Sequence, residues 1–202
     1  MATNQPGRGR PREQRADDAV RRATLELLEE VGYGGLSIEA VAARAGVGKP
    51  TIYRRFRSKA ELVFAHAIHG PELGPVPDTG SLREDLTALT QRILETFLRP
   101  AAASVVPGLL EDGTRDPELA ARLRASFVES ERRMVREILD RAVTRGELAR
   151  RPDIDLVHAL LLGPVFCWIF LAHNPVKRGL AGRLAVHVAG ALQATPARKE
   201  TP

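Results

Sequence analysis

A chain of 202 residues, 44% hydrophobic and 27% charged, is long enough to bury a core and too evenly mixed to be fibrous or low-complexity. Its single cysteine, Cys167, excludes an internal disulfide framework and predicts a reducing, cytoplasmic setting. The net charge of +5 is one-sided: residues 1–60 hold 12 Lys and Arg against 7 Asp and Glu, and the remainder balances at 18 and 18, so the basic excess gathers where a polyanion would be met.

Residues 1–11, MATNQPGRGRP, are predicted to be a disordered basic arm, with Arg8 and Arg10 able to reach a phosphate or a minor groove. No apolar segment follows them, so no signal peptide is expected. A first helix is predicted from Arg12 to Val31, with Val20, Ala23, Leu27 and Leu28 on its core stripe and Gly32 at its end. The Gly32-x-Gly34 pair lacks the third glycine and the preceding strand of a nucleotide loop.

The stretch Leu36 to Leu62 is the most informative. Ile38, Val41, Ala42 and Ala45 recur at i, i+3, i+4, i+7, the spacing of one helical face. Ser37 is placed to cap that helix and Gly46 to end it in a left-handed turn. Lys49-Pro50 opens a second helix, since proline has no N–H to leave unpaired in a first turn. Ile52 and Phe56 share its inner face, and Ser58 caps the next helix, with Lys59 in the first turn. Helix, glycine turn, helix is the layout that carries a recognition helix into a DNA major groove.

The run Ala45-Gly46-Val47-Gly48-Lys49-Pro50-Thr51-Ile52-Tyr53-Arg54-Arg55-Phe56, followed by Ser58-Lys59, resembles the DNA-binding signature of the tetracycline-repressor (TetR) family. The resemblance covers about Arg12 to Ala67, and departs from the family pattern at Gly48, where serine is common. It implies an all-α, nine-helix architecture: residues 12–69 as a helix-turn-helix domain with a connecting fourth helix, and residues 81–194 as a regulatory domain for ligand binding and dimerisation. It also implies roles. Lys49, Pro50 and Thr51 match the positions nearest base edges, and Tyr53, Arg55 and Lys59 those on phosphates. From residue chemistry, Arg54 can also donate to guanine, Ser37 can touch a phosphate beside its cap, and Gly48 lies at the turn.

Beyond the connecting helix, Gly70-Pro71 and Gly74-Pro75-Val76-Pro77 read as a domain boundary and a link that lets that helix swing. An amphipathic helix follows over Ser81 to Arg99. A weaker one, over Ala101 to Glu111, is expected to be interrupted at Pro107-Gly108. One long helix is expected from Asp116-Pro117 to Gly146, then one from Pro152-Asp153 to about Ala172, and a last one over about Val176 to Gln193. Residues 195–202 read as a disordered tail. The Asp116-Pro-Glu-Leu, Phe127, Arg145-Gly-Glu-Leu and Gly163-Pro pattern resembles, more loosely, a regulatory-domain type of the same family.

The apolar run Ala159 to Ala172 is broken by Gly163-Pro164 and is shorter than the ~20 residues of a membrane span. Because it is apolar nearly all round, it must be covered on both sides. With the small and apolar last helix it predicts a homodimer interface through Leu160, Pro164, Leu180, Leu184, Val188 and Leu192.

No catalytic constellation, cofactor motif or metal set is recognised; His66 and His69 at i, i+3 lack a third ligand. A set of apolar residues to spare, Phe97, Leu109, Phe127, Phe166 and Trp168, with His66 as a polar contributor, predicts a pocket for an apolar small-molecule effector. The expected function is a sequence-specific DNA-binding regulator, a repressor released by that effector from a palindromic double-stranded operator. A ligand-independent helix-turn-helix chromosome-binding protein is the alternative, and an enzyme is a third reading without residue support.

Overall fold

The computed structural model describes residues 10–69, 74–123, 125 and 128–194 of the protein, and its elements are all helical. They are α1 (Arg10–Gly35), α2 (Ile38–Ala45), α3 (Lys49–Tyr53), α4 (Lys59–Val63, continued by a π-helical turn Phe64–His69), α5 (Leu82–Phe97), α6 (Pro100–Arg115), α7 (Pro117–Leu123), α8 (Glu129–Thr144), α9 (Ile154–Phe166, continued by a π-helical turn Cys167–Leu171) and α10 (Leu180–Ala194). Of the arm expected at 1–11, residues 1–9 lie outside the described residues, and Arg10 and Pro11 open α1 instead; the residues at 70–73 and the tail at 195–202 also lie outside the described residues.

The chain forms two compact units, each discontinuous in sequence: Met1–Glu72 with Pro100–Ala121, and Leu73–Arg99 with Arg122–Pro202. The proline-rich link therefore does not divide the molecule cleanly, because α6 returns to the unit built from α1 to α4.

In the first unit α1 packs against α2 and α6. Gly32 departs from helical geometry with φ 66°, ending the regular part of α1 where the sequence predicts. Arg44 of α2 grips Glu30 of α1 with both guanidinium arms, at 2.5 and 2.8 Å. The sequence expects α6 to break at Pro107-Gly108, and it does not. Its buried residues Ala102, Val105, Val106 and Leu109 keep one helical stripe across the pair, so burial outweighs the hydrogen bond that Pro107 cannot make. Gly108 is needed there for a second reason: a Cβ would collide with the edge of the Tyr33 ring. That ring lies on the bare backbone, and its hydroxyl donates to the Asp112 carboxylate. Burial pushes the Tyr33 phenol well above its ordinary pKa, and the Asp112 contact adds to the effect.

In the second unit α5 and α10 pack along each other, with α8 and α9 alongside. Leu82, Leu86, Leu94, Ile138, Leu139 and Leu161 are fully buried. Asp85 is buried too, and its carboxylate is satisfied: it accepts from Thr79 N (2.7 Å), Thr79 Oγ1 (2.8 Å) and the Arg145 guanidinium (3.3 Å). The Arg145-Gly-Glu-Leu motif now has a physical account. Gly146 takes the left-handed turn (φ 77°), Glu147 receives Arg145 Nε at 2.6 Å, and its other oxygen accepts Leu82 N at 2.8 Å, capping α5. Arg141 also donates to the Pro77 carbonyl, which holds the far end of the link to this unit.

Three further expectations change. The helix expected over 116–146 is described as two stretches, α7 and α8, with residues 124, 126 and 127 between them outside the described residues, so that ten α-helices are described among those residues. Gly163-Pro164 does not break α9, because Val157, Leu161 and Val165 hold a buried stripe at i, i+4, i+8 across it. The resulting helix, Ile154–Leu171, has a mean hydropathy of 2.0 and only 22% of it is buried, so by length and composition alone it could cross a membrane. Finally, Leu180, Val188 and Leu192 do not face outward. They are buried in the unit's own core, which leaves Leu184 half-buried and Leu160 and Pro164 exposed among the residues expected at a dimer interface.

Candidate nucleic-acid interface

The helix-turn-helix is fixed by its ends. Ser37 Oγ accepts Ala40 N at 3.1 Å, capping α2. Gly46 takes φ 65°, ψ 31°, a left-handed conformation that a side chain would strain, and Val47 N returns to Ala42 O at 3.0 Å. Gly48 stands at the start of α3 without a side-chain cap, and Thr51 N bonds its carbonyl at 2.9 Å. Ser58 Oγ accepts Glu61 N at 3.2 Å while Glu61 accepts Arg57 N at 2.7 Å, a reciprocal cap on α4.

Adjacent helical residues point apart, and that sorts α3. Ile52 is 1% exposed and anchors the helix; Tyr53 beside it is 47% exposed. Lys49, Pro50, Arg54 and Arg55 are exposed, and Thr51 and Ser37 half-buried. The unit thus presents a short helix with a cationic, hydroxyl-bearing outer side.

Those cations have partners that the sequence reading missed. Lys49 Nζ lies 3.1 Å from Glu39, Arg54 lies 3.6 Å from Glu13, and Arg55 pairs with Asp17. The available signal was the i, i+4 spacing of Glu13 and Asp17 on α1, which has no meaning until α1 is known to run beside the turn.

Lys59 is also engaged. Its Nζ donates to the Tyr33 carbonyl at 3.0 Å and stands 4.4 Å above the Tyr33 ring. These contacts tie α4 to the end of α1. Lys59→Ala should therefore lower the thermal stability of the protein, by about 1 kcal/mol, as well as its DNA affinity. An unchanged melting temperature would return Lys59 to a surface cation.

His66, expected near an effector, belongs instead to this unit, where its ring meets Phe56 edge-on at a centroid distance of 5.3 Å. Its Nε2 is buried without a hydrogen-bond partner among the described residues. Burial, followed by the Arg21 charge, depresses its pKa from 6.5 to about 4. Above pH 6.5 both folded and unfolded chains hold it neutral. Between 6.5 and 4 only the unfolded chain takes up the proton, so stability falls as pH drops through that window, by about 3 kcal/mol in all. The melting temperature of the protein should fall relative to that of His66→Leu as pH is lowered from 7 to 4; parallel curves would count against a neutral His66.

The other residues expected around an effector fall in different units. Phe97 and Phe166 meet in the second unit at 6.5 Å between centroids, with Phe170 5.3 Å from Phe97 and 5.2 Å from Phe166. Trp168 turns away, its indole N–H donating to the Pro175 carbonyl at 3.2 Å. Leu109 is in α6, in the first unit, and Phe127 lies outside the described residues.

Known proteins share this sequence pattern and this fold. The family profile described as bacterial regulatory proteins, tetR family, matches residues 20–66, and the tetracyclin repressor-like C-terminal domain matches residues 76–188. The chain is 30% identical over 194 residues to the HTH-type transcriptional regulator YdeS of Bacillus subtilis (strain 168), covering 96% of this chain and 98% of that protein. It is 34% identical over 142 residues to a DNA-binding transcriptional repressor, TetR, of Mycobacteroides abscessus, covering 69% and 74%. Among solved structures, the TetR family regulator SCO0332 superposes with a TM-score of 0.72 at 26% identity, over 90% of this chain and 99% of that one.

Proposed function

From the premise that this chain belongs to the TetR family of transcriptional regulators, whose members bind operator DNA and dimerise, we propose how its own residues divide that work. Lys49, Pro50 and Thr51 read base edges: lysine can donate to guanine O6 and N7, and the proline ring and threonine methyl can touch a thymine methyl. Ser37, Tyr53 and Arg55 hold phosphates on either side, with Gly48 allowing close backbone approach, and Arg54 reaches base or phosphate. The observation that carries this assignment is the anchoring of Ile52 with Lys49, Pro50 and Tyr53 left outside. The protein acts as a repressor on a palindromic operator.

Lys49→Ala and Thr51→Ala should each weaken operator binding by about 1–3 kcal/mol and relax the preference at particular base pairs. Footprinting of the purified protein on its own upstream region supplies the operator for that titration. Equal losses on operator and random DNA for Thr51→Ala would remove it from the base-reading set.

The dimer is assigned to one continuous stripe. Leu156, Ala159, Leu160, Gly163, Pro164, Cys167 and Leu171 fall at helical spacing along α9, and all are exposed, Leu156 at 56% and Leu160 at 37%. Val186 and Gly190 of α10 are exposed as well. A second copy of the chain would cover this surface, which also accounts for an α9 apolar enough for a bilayer. An apolar effector would be received by the Phe97, Phe166 and Phe170 cluster in the second unit and would shift the population toward a state that no longer matches the two half-sites.

A further inference from the structure

Every cation of α3 and its following turn that is assigned to DNA, namely Lys49, Arg54 and Arg55, is already facing a carboxylate. We propose that Glu13, Asp17 and Glu39 are internal competitors for DNA phosphate, which set how weakly the protein holds DNA of arbitrary sequence. This rests on the assignment of Lys49, Arg54 and Arg55 as DNA contacts.

The placement is specific to the recognition turn. Glu13 and Asp17, one turn apart on α1, line a groove of about 550 Å³ whose other wall is Gly46, Val47, Gly48, Thr51 and Arg54. Glu39, in the first turn of α2, reaches across to Lys49 at the first turn of α3. All six side chains keep between 39% and 61% of their surface exposed. At that exposure an ion pair is weak, and an incoming phosphate can displace the carboxylate. Each cation then exchanges one anion for another, so its gain on DNA is a difference and not a whole contact. The displaced carboxylate stays within a Debye length, about 8 Å at physiological salt, of the phosphate that replaced it, and repels it. Binding to arbitrary sequence is almost wholly electrostatic, so it is the mode that this competition suppresses.

The test uses the full-length protein and a random-sequence duplex, so no operator needs to be known. E13Q/D17N/E39Q should bind the duplex roughly tenfold tighter at physiological salt, with the gain shrinking as salt is raised. E111Q/E137Q/D140N changes the charge equally and breaks the pairs with Arg115, Arg141 and Arg151, away from α3; it should leave the affinity nearly unchanged. No tightening in the first variant, or equal tightening in the second, overturns the proposal. K49A/R55A separates the two readings. If it weakens binding while E13Q/D17N/E39Q is neutral, the DNA contacts stand and the competitor role falls; if it leaves binding unchanged, both fall. Should the triple variant melt below the assay temperature, Glu13→Gln, Asp17→Asn and Glu39→Gln are measured singly, each expected to tighten binding about twofold.

Discussion

Gly108→Ala should destabilise the first unit by about 1–3 kcal/mol, although alanine is the better helix former by about 1 kcal/mol. The added methyl would collide with Tyr33 Cδ1 and stand 2.6 Å from Cε1. A flexible side-chain end could retreat from that contact. The Tyr33 ring cannot do so cheaply, because it is buried, its hydroxyl is tied to Asp112 and its carbonyl to Lys59. Gly113, on the same helix, is the control. A Cβ there meets nothing nearer than Ala120 Cβ at 3.6 Å, so Gly113→Ala should be neutral or stabilising. Thermal unfolding of both variants checks the contrast. Equal melting temperatures would mean that Tyr33 moves aside without cost. The Gly108 variant should also bind DNA poorly, since Tyr33 adjoins the turn that delivers Ser37 and supports Lys59.

Leu160→Asp should convert the dimer to a folded monomer and weaken operator binding about a hundredfold or more, because two recognition helices joined in one particle gain that much over one. Leu160 lies in the middle of the exposed α9 stripe, with Leu156 and Pro164 one turn to either side. In the dimer each copy would bury a carboxylate there without a partner, which association cannot offset. In the monomer the same carboxylate faces water, so helicity should be retained. Sedimentation gives the mass and circular dichroism the fold. A variant that still sediments as a dimer would move the interface to another face. The buried positions of α10 would be the wrong place to look: Val188 and Leu192 are spent on the subunit's own core, and changing them would unfold the unit before it separated the copies.

The all-α fold and the recognition turn were legible because local rules decide them. Ser37, Gly46, Ser58 and the i, i+3, i+4 stripe on α2 each act within a few residues, so the sequence carries their positions directly. Pro107 and Pro164 misled for the complementary reason. A proline weakens a helix locally, but Val105, Val106 and Leu109 beside the first, and Leu161 and Val165 beside the second, are buried by distant neighbours, and tertiary burial overrides the local cost. The same limit applies to the last helix. Leu180, Leu184, Val188 and Leu192 form one apolar stripe in sequence, and nothing in that stripe says whether α5 or a second copy will cover it. For the candidate site, the cations on α3 could be read from their spacing. Glu13 and Asp17 could not, since their contact with the turn exists only once α1 has been folded beside it.

The division of the first unit into two stretches of chain, with α5 between them, has a consequence for synthesis. Residues up to Glu72 leave the ribosome long before Asp112 does. Until α6 emerges, the Tyr33 ring has neither the bare backbone of Gly108 to lie on nor a carboxylate for its hydroxyl. The DNA-reading turn can be capped and helical during that interval, but the unit that holds it cannot close. A fragment ending at the proline-rich link would remain in that nascent condition, an assembled recognition turn on an unfinished support, even though the link reads in sequence as the natural place to cut.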